Sequence, residues 1–174
     1  MSTSKENTQF GHGLVMANLN INGLLAHIDE LRVFLTMAKI DILAINETKI
    51  DSSISNNEIH ISGFDIARND RIVNGEYGGG VLFYIRNNLN YQIRRDLDDE
   101  LLEVLTIEIT KPRSKPFIIN LFGLTQLITE PTRITEKTKT LIDLCITNTP
   151  EKIIQSGVYH LGISDHSLVF MTRI

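Results

Sequence analysis

Apolar positions along this chain change period several times, and each change marks a predicted element. Leu14 to Ile21 is a nearly continuous apolar run, Leu-Val-Met-Ala-Asn-Leu-Asn-Ile, closed by Asn22-Gly23, which predicts a buried strand ending in a turn. Leu24, Ile28, Leu31, Leu35 and Ala38 then recur at helical spacing while Asp29, Glu30 and Arg32 fall on the other side, as in an amphipathic helix packed on a sheet. Asp41 to Ile45 returns to a short apolar strand. Strand, helix and strand of these lengths form an α/β unit.

Beyond Thr48 the segments shorten and take β character: Phe64 to Ala67, Gly80 to Ile85, Tyr91 to Arg94, Val104 to Ile109 and Pro116 to Asn120. Alternation in Leu105-Thr106-Ile107-Glu108-Ile109 predicts a half-exposed antiparallel strand. A short apolar stretch, Leu121 to Ile128, leads through Pro131 to a predicted strand at Leu141 to Thr147, then Ser156 to His160, and a closing strand at Leu168 to Arg173. Residues 1–12 are polar and aperiodic and read as a mobile tail, with residues 13–174 as a single domain. No internal repeat, heptad or low-complexity block interrupts it.

Composition narrows the class. The chain has 174 residues, 42% of them hydrophobic, enough for one buried core. Its 17 basic and 21 acidic residues give a net charge of -4, so no global positive field advertises nucleic-acid binding, and contacts to a phosphate backbone would have to be local. The single cysteine, Cys145, lies in an apolar run and reads as a buried thiol in a reducing compartment. No apolar stretch approaches the ~18 residues of a membrane span, and the polar opening lacks a signal peptide's apolar centre, which predicts an intracellular soluble protein.

Four short elements place polar residues beside apolar strands. Period-two alternation in Asn18-Leu19-Asn20-Ile21-Asn22 sets three asparagines on one face. In Ile45-Asn46-Glu47-Thr48 a carboxylate follows a buried strand, where it suits either a Mg²⁺ ion that keeps several waters or a helix cap. Asp143 sits amid an apolar run and needs a donor nearby, because burying a lone carboxylate costs several kcal/mol. Gly162-Ile163-Ser164-Asp165-His166-Ser167 offers that donor, and an Asp–His pair can orient an imidazole for proton transfer.

Taken in order, these elements resemble the endonuclease/exonuclease/phosphatase superfamily, and in wording the DNA-nicking domain of non-LTR retrotransposons. The likeness is carried by Leu19-Asn20-Ile21-Asn22-Gly23-Leu24, Asn46-Glu47-Thr48-Lys49, Gly78-Gly79-Gly80-Val81, Leu124-Thr125-Gln126-Leu127-Ile128 with Pro131-Thr132-Arg133, and Ser164-Asp165-His166-Ser167. It implies an α/β fold of four layers, two packed mixed sheets with outer helices. It also implies DNA as partner, a nuclear setting although no targeting signal stands in the sequence, and Mg²⁺, with Mn²⁺ as a substitute, as cofactor. Neither a membrane nor a protein partner is indicated. By the same likeness Asn20 lies near the scissile phosphate, His166 is the catalytic histidine and Asp143 holds it. Glu47 is the principal metal ligand, Asp165 its acidic companion, and Thr132 faces the phosphate. Asn22 stands where the DNA-repair branch often carries an aspartate, which favours the retrotransposon branch.

One departure is large. Between Asn120 and Leu124 the family carries a Tyr-x-x-Pro element, a helix and a strand ending in Gly-Asp-x-Asn, and neither motif occurs anywhere in this sequence. Two strands, two helices and their loops amount to on the order of 50 to 70 residues. The fold is thus expected to be truncated in the middle, and the lost aspartate is the family's group for orienting or deprotonating the attacking water. Two readings follow: a Mg²⁺-dependent phosphodiesterase strongly impaired by the deletion, or a degenerate domain, from a decayed mobile element or a gene-model splice, that at most binds metal or nucleic acid weakly. A phospholipid or inositol phosphate substrate would call for an apolar or basic lid near the site, and the sequence has none. Gly78 to Gly80 could cradle a phosphate but read more readily as a tight hairpin passage, Arg68, Arg71, Arg94 and Arg95 as solvated surface or DNA contacts, and His12, His27, His60 and His160 as having no role.

Overall fold

Odd and even positions of the same strands are buried against different partners, and this organises the molecule. The computed structural model describes residues 12–70, 79–97, 104–110, 117–118, 125–126, 128, 130–141, 143, 146–147 and 150–174. Strand β1 (Leu14–Asn20) is followed by helix α1 (Leu24–Met37) and by β2 (Ile42–Asn46), and then by β3 (Phe64–Asn69) and β4 (Val81–Arg86). Next come β5 (Asn90–Ile93), β6 (Ile107–Thr110), β7 (Phe117–Ile118) and β8 (Thr125–Gln126). The last third holds β9 (Arg133–Ile134), β10 (Lys139–Thr140), β11 (Ile146–Thr147), β12 (Ile153–Tyr159) and β13 (Leu168–Arg173).

Six strands form one mixed sheet in the order β12-β13-β1-β2-β4-β3, and β5-β6-β7 form a second sheet. β1 and β2 run parallel because α1 carries the chain back between them, and the other pairs are antiparallel. Val15, Ala17 and Leu19 of β1, with Leu43, Ile45, Leu82, Tyr84, Leu168 and Phe170, share a cluster with Leu24, Ile28, Leu31, Phe34 and Leu35 of α1. Leu14, Met16, Ile42, Phe83 and Ile85 point the other way and meet Ile107 and Ile109 of the second sheet. Helix, sheet and sheet are thus stacked. Among the described residues α1 is the single α-helix, and the far face of the second sheet carries no described helix.

The α/β architecture, the opening strand–helix–strand and the closing strand agree with the sequence expectations, with boundaries moved by a residue or two. Two expectations need correction. The stretch Leu105–Ile109 is antiparallel, but it is not half-exposed: Thr106 is fully buried and Glu108 nearly so. Glu108 tolerates that position because Arg94 and Gln92 from the β5 side donate to its carboxylate. The strand expected over Leu141 to Thr147 is ordered as strand at Ile146–Thr147, whereas Leu141 and Asp143 lie outside any strand. Asp143 spends its N–H on a side chain instead of a ladder, as described below. The tail expected at residues 1–12 lies, except for His12, outside the described residues, as do Arg71, Gly78, Cys145 and the segment 119–124. Among the described residues no helix is long and apolar enough to cross a membrane.

Candidate active site

The sheet register brings two groups of residues to one end of the molecule. β1 and β2 run side by side to Asn20 and Asn46, which are paired in register. β13 runs antiparallel to β1 with Asn18 opposite Val169, so the loop that precedes Leu168, and holds His166, lies at the end where Asn20 and Glu47 leave their strands.

At the first group the backbone ladder continues past the strands. Ile21 N–H donates to Asn46 C=O at 3.1 Å, Gly23 N–H to Glu47 C=O at 2.8 Å, and Leu24 N–H to Thr48 C=O at 2.9 Å. Thr48 and Lys49 then donate their N–H groups to Gly80 and Gly79, at 3.2 and 2.9 Å. Asn22, Glu47 and Lys49 all have positive φ, 52°, 56° and 52°. Asparagine tolerates this region, but for a glutamate or lysine it costs about 1 to 2 kcal/mol, so these loops are held in place by their neighbours. The Glu47 side chain is half-buried and accepts the Gly79 N–H on Oε2 at 3.1 Å. Gly79, read from the sequence as part of a phosphate cradle or a tight hairpin passage, therefore aims the carboxylate. Asn20 Oδ1 accepts Asn22 N–H at 3.2 Å, Lys49 Nζ donates to Asn22 Oδ1, and Asn46 Nδ2 donates to Asn18 Oδ1 at 3.0 Å.

The second group is built around His166. Its Nδ1 lies 2.8 Å from Asp143 Oδ2, and both side chains are nearly buried, at 11% and 7% exposure. A carboxylate on Nδ1 keeps the proton on that nitrogen in the neutral ring and leaves Nε2 as the second functional atom. Ser164 Oγ accepts the His166 N–H at 3.2 Å, and His166 bridges antiparallel to Arg133. Thr132 is fully buried, and its Oγ1 accepts the Asp143 N–H at 2.9 Å. His160, to which the sequence reading gave no role, places Nδ1 2.6 Å from Ser167 Oγ. Its signal would have been the register of β12 against β13, which sets His160 beside Ser167, and no local motif encodes that.

Asp165 faces a cation. Arg133 Nε donates to its Oδ2 at 2.8 Å, and this bond, with the guanidinium charge, holds the Asp165 carboxyl below the usual carboxylate range. A carboxyl so depressed contributes stability that is fully present above its unfolded pKa and is lost as pH falls through its lower folded value. Replacing Arg133 by Ala should therefore raise the Asp165 pKa toward the ordinary aspartate value, as read by carbonyl-detected NMR titration. An unchanged titration in Arg133→Ala would show that the pair does not set the shift. Arg68 and Arg94, considered as DNA contacts, are tied to Asp70 at 2.6 Å and to Asp96 at 2.6 Å with Glu108.

The fit to a divalent cation is uneven. Glu47 presents one half-exposed, backbone-oriented carboxylate, which suits a hard ion that retains most of its waters. Asp165 is engaged by Arg133, and among the described residues no three His, Cys, Asp or Glu side chains gather as a cage. The donor set therefore fits a singly anchored, largely hydrated ion at Glu47.

No family model and no curated protein sequence matches the chain. Solved structures do. The endonuclease domain of TRAS1, a telomere-specific non-LTR retrotransposon, superposes with a TM-score of 0.66 at 12% identity, covering 92% of this chain and 98% of that one. A 3′ phosphatase from Neisseria bound to a product DNA hairpin gives 0.64 at 12% identity, covering 93% and 100%. An endonuclease/exonuclease/phosphatase family protein from Leptotrichia buccalis gives 0.63 at 11% identity, covering 93% and 100%. The chain spans 38% of the length of an AP endonuclease from Leishmania major that it also matches, with a TM-score of 0.49 at 21% identity. A mixed six-stranded sheet with a helix on one face and a second sheet on the other, superposing on these neighbours over nine-tenths of its length, identifies the chain as having the endonuclease/exonuclease/phosphatase fold.

Proposed function

We propose that this chain is a phosphodiester-hydrolase domain of the DNA-nicking type that keeps its metal-anchoring and histidine-bearing parts and lacks the part that activates water. The observation that carries this reading is the buried contact between His166 Nδ1 and Asp143 Oδ2 at 2.8 Å, at the sheet end where Glu47 leaves its strand. A lone carboxylate at 7% exposure is costly, and pairing with an imidazole that has a second nitrogen for chemistry is how such a cost is offset at a site.

On this reading Glu47 would hold Mg²⁺, or Mn²⁺ in its place, and Asn20 would sit near the scissile phosphate. A bound divalent ion supplies charge stabilisation to phosphoryl and leaving-group oxygens. His166, oriented by Asp143, would stabilise developing charge or move a proton at Nε2. Asp165 is the second acid of the site, with its Oδ2 already held by Arg133. DNA is the substrate class, as the Neisseria neighbour is bound to a product DNA hairpin, and a nuclear setting is what the resemblance to retrotransposon domains implies. The missing Gly-Asp-x-Asn and Tyr-x-x-Pro elements remove the group that would align or deprotonate water, so hydrolysis is strongly impaired. A chain that binds metal or nucleic acid weakly without turnover is the limit of the same reading.

Metal anchoring is tested by paramagnetic broadening. Sub-stoichiometric Mn²⁺ added to ¹⁵N-labelled protein should broaden the amide signals of Glu47, Thr48 and Gly79 first, and Glu47→Gln should abolish the effect. Selective broadening that persists in Glu47→Gln, or that centres elsewhere, would sink Glu47 as the anchor.

A further inference from the structure

Thr132 is bonded on three sides. Its N–H donates to Thr140 C=O at 2.9 Å, its C=O accepts the Ser167 N–H at 2.6 Å, and its Oγ1 accepts the Asp143 N–H at 2.9 Å. The residue is fully buried. One side chain and its peptide groups thus tie together the β9–β10 hairpin, the segment carrying Asp143, and the residue that follows His166.

We propose that Thr132 is a positioning residue for the Asp143–His166 pair, acting through Asp143 and not as a contact to the phosphate. Asp143 lies outside any strand, so no ladder defines the direction of its Cα–Cβ bond. The bond from its N–H to Thr132 Oγ1 supplies that constraint. The neighbouring bond from Ser167 N–H to Thr132 C=O places the residue after His166 on the same anchor, so aspartate and imidazole are referenced to one residue. A 2.8 Å contact between two nearly buried side chains tolerates little misplacement, because hydrogen bonds weaken steeply with distance and angle. The anchoring residues run from 132 to 167, entirely downstream of the place where the family's central segment is missing, and this explains how the histidine half is built without it.

The inference rests on reading His166 as the site histidine, but its test reads the imidazole alone and needs no metal. In ¹⁵N-edited NMR of the full chain, His166 should show a downfield, slowly exchanging Nδ1–H. Thr132→Val keeps shape and removes the acceptor, and should speed that proton's exchange about tenfold, the equivalent of one lost hydrogen bond. Thr132→Ser should stay within about twofold of the parent, since its hydroxyl can accept the same bond. Tyr84→Phe, which deletes a distant buried bond to Ile59 C=O, should leave the signal unchanged. A folded Thr132→Val with parental exchange, or equal acceleration in Tyr84→Phe, would overturn the proposal. Should Thr132→Val not fold, the parent protein decides. The Asp143 amide and the His166 Nδ1–H should lose protection together as denaturant rises, and an Asp143 amide that exchanges freely while Nδ1–H stays protected overturns the assignment. Failure of Mn²⁺ broadening at Glu47 would remove the metal reading and leave this one standing.

Discussion

Supercoiled plasmid incubated with this chain in Mg²⁺ should be nicked about 10²- to 10⁴-fold more slowly than by a relative that carries the Gly-Asp-x-Asn element, the range expected from removing a positioned base. What remains should be no more than the uncatalysed background, so Glu47→Ala should not change it. In-line attack needs a water held at the far side of the phosphorus and partly deprotonated as it adds, and the groups retained here do something else. On the proposed reading His166 and Asp143 would stabilise charge or move a proton, and Glu47 would anchor a cation. Taking the water's proton is the role the resemblance gives to the missing aspartate, and none of these groups is assigned to it. Asn120 could be aligned to the motif's asparagine, but Ile118 would then stand in the aspartate's place, so either alignment loses the acid. Inserting the family's central segment between Asn120 and Leu124 should restore nicking by a comparable factor, and Glu47→Ala should then abolish it. Robust nicking by the chain as it stands, lost in Glu47→Ala, would mean that another residue fills the gap, with Asn120 the first to examine.

Gly80→Ala should destabilise the protein by about 3 kcal/mol and disturb the site with it. Two independent costs act at this position. Gly80 has φ 86°, where an alanine loses about 1 to 2 kcal/mol through its Cβ. That Cβ would also fall 2.2 Å from Thr48 Oγ1, a buried hydroxyl with no hydrogen-bond partner among the described residues. Overpacking of this kind costs about 1 to 3 kcal/mol. Urea unfolding of Gly80→Ala, Thr48→Ala and the double variant separates the terms. The double variant should recover the steric share and keep the φ share, giving a coupling energy of about 1 to 2 kcal/mol. Thr48 N–H donates to Gly80 C=O and Gly79 N–H holds Glu47, so the same substitution should shift the Glu47 and Gly79 amide signals and weaken Mn²⁺ broadening there. A loss below about 1 kcal/mol would show that the loop yields easily and does not hold Glu47 rigidly.

Features that depend on neighbours within a few residues could be read directly along the chain. Helical spacing from Leu24 to Ala38, the apolar runs of β1, β2, β4 and β13, and the turn at Asn22-Gly23 are local patterns, and each became the expected element. The order of the Asn, Glu, Asp and Ser-Asp-His elements was equally legible, because a residue type at the end of an apolar strand is visible without knowing what that strand pairs with. Other features waited on contacts between distant elements. Alternation in Leu105–Ile109 predicted exposure on one face, but Arg94, just past the end of the neighbouring strand, reaches across and lets Glu108 be buried. An apolar run around Asp143 predicted a strand, but the hydroxyl of Thr132, eleven residues away, takes the amide that a ladder would have used. Gly79 is 32 residues from the Glu47 carboxylate it orients, and Arg133 is 32 residues from the Asp165 it engages. A donor's side or backbone vector is set by the packing of whole elements, and the free energy that selects one such pairing over another is shared across the core that α1 and the two sheets bury. A residue's type can be read from the chain alone, whereas its hydrogen-bond partner exists only once distant strands have settled into register.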